Sequence, residues 1–275
     1  MNTIKDYLIR AENTKLLLSV ADGDSKKVRY FLAKGVNPNC ILEEPLKEYK
    51  IIKGETPLMY AVRSNNQKMV ELLLDQPLID PNIQNAEGDT ALHIATKQGK
   101  RDMIEILTGL TETRMNIDNK AGHIPSEIKT SKEIQDLLIS IEGEKLLSAI
   151  LMGLKERIED LCHKKMNYDY KSRYWVKGRT PLICAAQNSD VGMIKFLLSQ
   201  NVDINHQDDE CNTALHIALG RGCVEAVRIL IEAGADLGLK NKYDEIALNI
   251  LIEDTEIRQF EEILNKLNND ALLNL

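Results

Sequence analysis

Aromatic side chains are scarce in this chain: one Trp, three Phe and eight Tyr make up 4% of 275 residues. So few rings leave the core to Leu, Ile, Val and Ala, which suits thin helical layers. No run of 18 apolar residues occurs, so no transmembrane helix and no membrane insertion is expected. The opening Met1-Asn2-Thr3-Ile4-Lys5-Asp6 lacks the apolar centre of a signal peptide. Cys40, Cys162, Cys184, Cys211 and Cys223 form no CxxC pair and are odd in number. Free thiols in a reducing, cytoplasmic compartment are the simplest reading. Basic charge is in deficit, with 35 Lys and Arg against 42 Asp and Glu, a net charge of −7 and pI of about 5.4. That balance argues against nucleic acid or an anionic membrane as the main partner. There is no Gly-rich phosphate loop, no HExxH and no GxSxG, so no enzyme site and no cofactor is read from the chain. With 43% hydrophobic and 28% charged residues, the chain has the make-up of a soluble globular protein of one or two domains.

What is abundant is repetition. Thr90-Ala91-Leu92-His93-Ile94-Ala95 returns unchanged as Thr213-Ala214-Leu215-His216-Ile217-Ala218. Thr56-Pro57-Leu58-Met59-Tyr60-Ala61 precedes the first copy by 34 residues, and Thr180-Pro181-Leu182-Ile183-Cys184-Ala185 precedes the second by 33. Each Thr can cap a helix with its hydroxyl, and Pro57 and Pro181 then take the first helical position. Gly99 supplies a left-handed turn, after which Met103, Ile104, Ile106 and Leu107 give a second amphipathic helix. A helix pair of this size cannot bury its own core and must stack on neighbours.

These segments resemble the ankyrin repeat, whose pattern reads T-P-L-H-x-A, then Gly, then a second helix ending in Leu-Leu. The resemblance implies an all-α solenoid. Leu16-Leu17-x-x-Val20-x-x-Gly23 returns as Leu146-Leu147-x-x-Ile150-x-x-Gly153 at an offset of 130, and Asn82-Ile83-Gln84-Asn85 aligns with Asn205-His206-Gln207-Asp208 at 123. The chain is therefore read as two quasi-duplicated halves of four repeats, eight in all. Each half has a signature-free first repeat, a long connection, two good repeats and a degenerate closer. The expected boundaries are a short capping helix in 1–13, repeats 1–4 in 14–141, repeats 5–8 in 142–267 and a tail in 268–275. No Pro/Gly/Ser linker lies between Ile139 and Leu146, which favours one continuous stack.

A protein partner is the function the resemblance implies, bound by a monomer through its concave face. The family's variable positions map to Glu55, Arg63 and Ser64 in the second repeat, and to Ala86, Glu87, Asp89, Lys97 and Gln98 in the third. In the sixth and seventh they include Lys177, Arg179, Gln187, Asn188, Asp209, Glu210, Asn212, Gly220 and Arg221. The lead candidate is the stretch from Tyr168 to Arg179, which holds the only Trp and three of the eight Tyr. Tyr168, Tyr170, Lys171, Arg173, Tyr174, Trp175, Lys177 and Arg179 are expected to form an extended hairpin finger, since Tyr, Trp and Arg dominate binding hot spots. Inward packing of Tyr168 and Trp175 is the competing reading. His93 and His216 stand at the motif histidine, whose imidazole in the family ties neighbouring repeats together. His206, Cys211, His216 and Cys223 match no common zinc spacing, so no metal is expected. Glu261-Glu262 and Leu272-Leu273 are similar to C-terminal signals of bacterial type IV secretion substrates. Ankyrin stacks rich in Ile, Lys and Asn resemble effectors that intracellular bacteria place in a host cell. A plain cytosolic scaffold, and an enzyme with a cryptic pocket near residues 122–153, are the alternatives.

Overall fold

The computed structural model describes residues 4–250 apart from 43, 44, 111, 163–165 and 173–177. Among these residues there are twelve α-helices and no strand; Leu46 with Ile51 and Lys240 with Ile246 form isolated bridges only. The helices are α1 (Ile4–Ala21), α2 (Ser25–Ala33), α3 (Pro57–Arg63), α4 (Gln67–Leu74), α5 (Ala91–Lys97), α6 (Arg101–Gly109) and α7 (Lys132–Leu151). Then come α8 (Lys155–Leu161), α9 (Pro181–Gln187), α10 (Val191–Ser199), α11 (Ala214–Gly220) and α12 (Val224–Glu232).

The signature starts each short first helix as its chemistry dictates. Thr56, Thr90, Thr180 and Thr213 are extended at the cap position, and each hydroxyl accepts from the amide three residues on. That satisfies one of the donors a helix start leaves open. The second helices α2, α4 and α10 are capped by Asp24, Asn66 and Asp190. Seven to nine residues are too few for a stable isolated helix, so packing must hold them.

The chain divides into two compact units, residues 1–141 and 142–275. The first buries Leu16, Leu17, Val20, Leu58, Met69, Leu73, Leu92, Ile104, Leu107, Ile134 and Leu138 in one apolar cluster. The second buries Leu146, Leu147, Ile150, Leu182, Ile194, Leu197, Leu215, Val227 and Leu230. The join at 141/142 falls inside α7, which runs from Lys132 to Leu151 without a break.

One expectation needs correction, and the degenerate closers take a definite form. The short cap in 1–13 is not a separate helix: α1 continues through it to Ala21, because no Pro or Gly interrupts residues 4–21. The first helices of the fourth and eighth repeats are single 3₁₀ turns, Pro125–Glu127 and Ala247–Ile250, which lack the Thr cap.

Candidate partner-binding site

Three ladders of side-chain-to-backbone bonds fix the loops that carry the candidate residues. In the first, Asn39 Nδ2 donates to the Leu78 carbonyl at 2.6 Å while its Oδ1 accepts from the Asp80 amide at 2.9 Å. Asn82 repeats this with the Glu112 carbonyl at 2.7 Å and the Arg114 amide at 2.8 Å. In the second unit Asp169 accepts from the Asp203 amide, and Asn205 from the Asp236 amide, both at 2.8 Å.

The second ladder is made by Gln84, whose Nε2 donates to Gly88 and Asp118 carbonyls at 2.6 and 2.8 Å. Gln207 does the same to Cys211 and Lys240 at 2.7 and 2.8 Å.

The third ladder is histidine. Thr90 N–H donates to His93 Nδ1 at 3.2 Å, so Nδ1 is the acceptor and Nε2 carries the proton. Nε2 then donates to the His123 carbonyl of the next repeat, 3.0 Å away. His216 repeats the arrangement with Thr213 and the Glu245 carbonyl, as the resemblance implies. Burial lowers the basicity of His93, which keeps it neutral. Neither imidazole is free for other chemistry.

Four hairpin tips are each shaped by one further residue. Asn85, Asn119, Asp208 and Asn241 each accept, through Oδ1, from the amides two and four residues on. Sequence reasoning aligned Asn85 with Asp208 but gave them no role. The signal was Asn or Asp three residues before the left-handed position, which Gly88 and Gly122 fill in the first unit. Cys211 stands there in the second unit at φ 59°, a conformation that favours glycine.

Several expected binding residues are held inside. Glu55 is fully buried, with its carboxylate gripped by Arg63 Nε and Nη2 at 2.7 and 2.8 Å and by the Ile52 amide at 3.1 Å. The Glu55 carboxylate in turn raises the basicity of Arg63. Asp89 is buried too, bonded to the Lys97 ammonium and, at 3.0 Å, to Asn119 Nδ2. Asn85 Nδ2 is buried with no hydrogen-bond partner among the described residues. Arg179 Nε donates to Asp208 Oδ2 at 3.1 Å, and that carboxylate is almost wholly enclosed. Asn188 Nδ2 caps the end of α7 through the Ile150 and Leu151 carbonyls at 2.6 and 3.2 Å.

The finger is corrected at its base. Tyr168 and Tyr170, expected as partner contacts, are buried. The Tyr168 ring stands edge-on to Phe196, centroids 5.6 Å apart. Tyr170 lies flat against Gly143 of α7, so closely that a Cβ there would overlap its ring. Its hydroxyl donates to Glu144 Oε1 at 2.9 Å, and Ser172 Oγ donates to the same oxygen at 3.1 Å. The Ser172 amide donates to the Arg179 carbonyl at 3.1 Å, and the Gly178 amide to the Ser172 carbonyl at 3.0 Å, closing the base of the loop. Arg173, Tyr174, Trp175 and Lys177 lie outside the described residues.

What remains outward is Lys171, Asn188, Asp209, Glu210 and Arg221, with Gln187 and Asn212 half-buried. Glu210 pairs with Lys242, whose basicity that carboxylate raises. Burial pushes the Cys40 and Cys184 thiols up to about 12, far from a reactive thiolate. No group of three His, Cys, Asp or Glu among the described residues is placed to hold a metal ion. His206 Nε2 is instead 2.8 Å from the Gly178 carbonyl. No helix among the described residues is long and apolar enough to cross a membrane.

Comparison with known proteins gives the following. The family model "Ankyrin repeats (3 copies)" matches residues 13–121 and 146–241. A stretch of 73 residues is 41% identical to the B-cell lymphoma 3 protein homolog of Mus musculus, covering 26% of this chain and 16% of that protein. A stretch of 139 residues is 26% identical to putative ankyrin repeat protein FPV244 of Fowlpox virus, covering 50% of this chain and 20% of that one. The chain thus aligns with a small part of these curated relatives. Among solved structures, the ankyrin repeat domain of Bcl-3 is 23% identical with a TM-score of 0.41, over 90% of this chain and 97% of that one.

Proposed function

Because the chain belongs to the ankyrin-repeat family, whose folds serve in the main as interaction scaffolds rather than enzymes, we propose that it recognises a protein partner through its hairpin tips and first helices. The observation that carries this is the division of labour among polar residues. Asn, Gln and His side chains are spent on the ladders, while Lys171, Asp209, Glu210 and Arg221 are exposed. A surface already ordered before binding loses little entropy when the partner arrives. The partner face is proposed for the second unit, around the loop 171–179 and the tip 209–212. Tyr174, Trp175, Arg173 and Lys177 are proposed anchors on sequence grounds, as hot-spot residue types.

The setting proposed is that of a bacterial effector acting on host proteins. It rests on the Ile-, Lys- and Asn-rich composition.

The test is affinity capture from a eukaryotic lysate with three proteins: wild type, Tyr174→Ala/Trp175→Ala and Asp209→Lys/Glu210→Lys. Circular dichroism checks that all three are equally folded. A partner held by wild type and lost from either variant supports the reading. Capture unchanged by both variants moves the site off this face, and absence of any wild-type partner overturns the host-directed setting.

A further inference from the structure

The outer side of α2 is basic in an acidic chain. Lys26, Lys27 and Arg29 are exposed on it, with Lys34 at its C-terminal cap and Tyr30 between them, 55% exposed. Helical spacing sets these five on the side opposite Val28, Phe31 and Leu32, which pack into the core of the first unit. The helix itself holds no acidic residue. Lys27 pairs with Asp24 at 3.2 Å, and the Lys34 ammonium lies over the Tyr30 ring, 4.7 Å from its centroid. Lys26 and Arg29 have no ion pair among the described residues. Arginines on the other second helices are neutralised: Arg101 by Glu105 and Glu133, Arg228 by Glu225 and Glu232.

The fold does not ask for this charge. The offset of 130 that relates Leu16 to Leu146 sets Val28 of α2 at Ile158 of α8, and both are buried. The same offset sets Lys26 at Glu156, Arg29 at Glu159 and Tyr30 at Asp160. One scaffold position thus carries cations in the first unit and acids in the second. Lys26 and Lys27 also sit in the first turn of α2, where the helix dipole favours acids. Glu156 holds that place in α8. Charge set against the local rule, and not shared by the duplicate, is a mark of function.

The occupant must be anionic. A peptide is commonly seated by apolar anchors in a groove or by pairing with a strand edge. Here the apolar side of the helix is spent on the core, and what faces out is a convex row of cations around one aromatic ring. That suits a broad surface of diffuse negative charge. We infer that the outer face of α2 rests on a lipid surface bearing anionic headgroups, with Lys26, Lys27, Arg29 and Lys34 among the headgroups and Tyr30 at the interface. The contact is peripheral, with nothing crossing the bilayer. The net charge of −7 that argued against such a surface is an average over the chain, from which α2 departs. The partner face proposed for the second unit is independent of it.

Cosedimentation of the full chain with vesicles tests it. Phosphatidylcholine vesicles containing phosphatidylserine should retain the protein, and phosphatidylcholine alone should not. Binding should weaken as salt rises, because exposed charges are screened. Lys26→Glu/Arg29→Glu, which gives α2 the charges of α8, should weaken binding by more than about 100-fold. Circular dichroism should be unchanged, since α8 forms the same element with glutamates there. Arg101→Gln/Arg228→Gln removes two cations from other outer helices and should leave vesicle binding as it was. Equal binding to both kinds of vesicle, or none to either, would overturn the inference. So would binding that survives the α2 reversal, or an equal loss from the control pair. Polyglutamate or duplex RNA that strips the protein from the vesicles at equal charge concentration would assign the face to an acidic protein or a nucleic acid instead.

Discussion

At the scale of single residues, identity and fate part company. Glu55, Asp89 and Arg179 look like surface residues in the sequence, yet each ends in a buried or half-buried ion pair. Asp89 owes part of its enclosure to Asn119 and Arg179 to Asp208, partners 30 and 29 residues further on. Local pattern could not reveal that. The histidines were legible because their role is part of the repeat. For His93 the sign of a pH effect follows. Its basicity is lowered in the folded protein, so the unfolded chain binds the proton more readily. Its contribution to stability is complete above the unfolded value of about 6.5 and is lost as pH falls below it toward the depressed folded value. His93→Gln, which cannot titrate, should be less stable than wild type at pH 8. The gap between the two, measured by urea unfolding, should narrow on going to pH 5. A gap that widens or stays constant would contradict the buried, neutral imidazole.

Elements were read well where Thr, Pro and Gly punctuate them, and poorly where they do not. The four signature helices start at the residue after each Thr. By contrast α1 and α7 run on past their expected limits, since nothing in 4–21 or 132–151 stops a helix. Gly143 sits inside α7, where alanine is ordinarily better by about 1 kcal/mol. Here a methyl group would meet the Tyr170 ring, and forced overpacking costs about 1–3 kcal/mol. Gly143→Ala should therefore lower the melting temperature, although it improves helix propensity. In a Tyr170→Ala background the same change should be neutral or stabilising. If Gly143→Ala stabilises the wild type outright, the ring does not lie on α7. The inward turn of Tyr170 was invisible in the sequence for this reason: it depends on a missing Cβ 27 residues earlier.

For the whole molecule, the period of 33 to 34 residues gave the solenoid class, because stacking is the one way such pairs bury an apolar face. It did not give the outward face of the partner site, which depends on tertiary contacts of individual side chains. The first unit is proposed to fold alone. A fragment of residues 1–145 should melt cooperatively. Ending the fragment at residue 131 removes Ile134 and Leu138 from the core. The loss should be about 3 kcal/mol or more for two buried aliphatic side chains, read by denaturant unfolding. Equal stability of the two fragments would mean α7 contributes nothing to that core. The ladders have a further consequence for how such a chain can change. Asn39, Asn82, Gln84, Gln207, His93 and His216 all reach across to peptide groups of the following repeat, not to its side chains. A joint that reads only backbone accepts any successor of the same shape. At these joints repeats can be copied, lost or exchanged without rewriting the bonds, whereas the side-chain pairs Asp89–Asn119, Arg179–Asp208 and Glu210–Lys242 must change together.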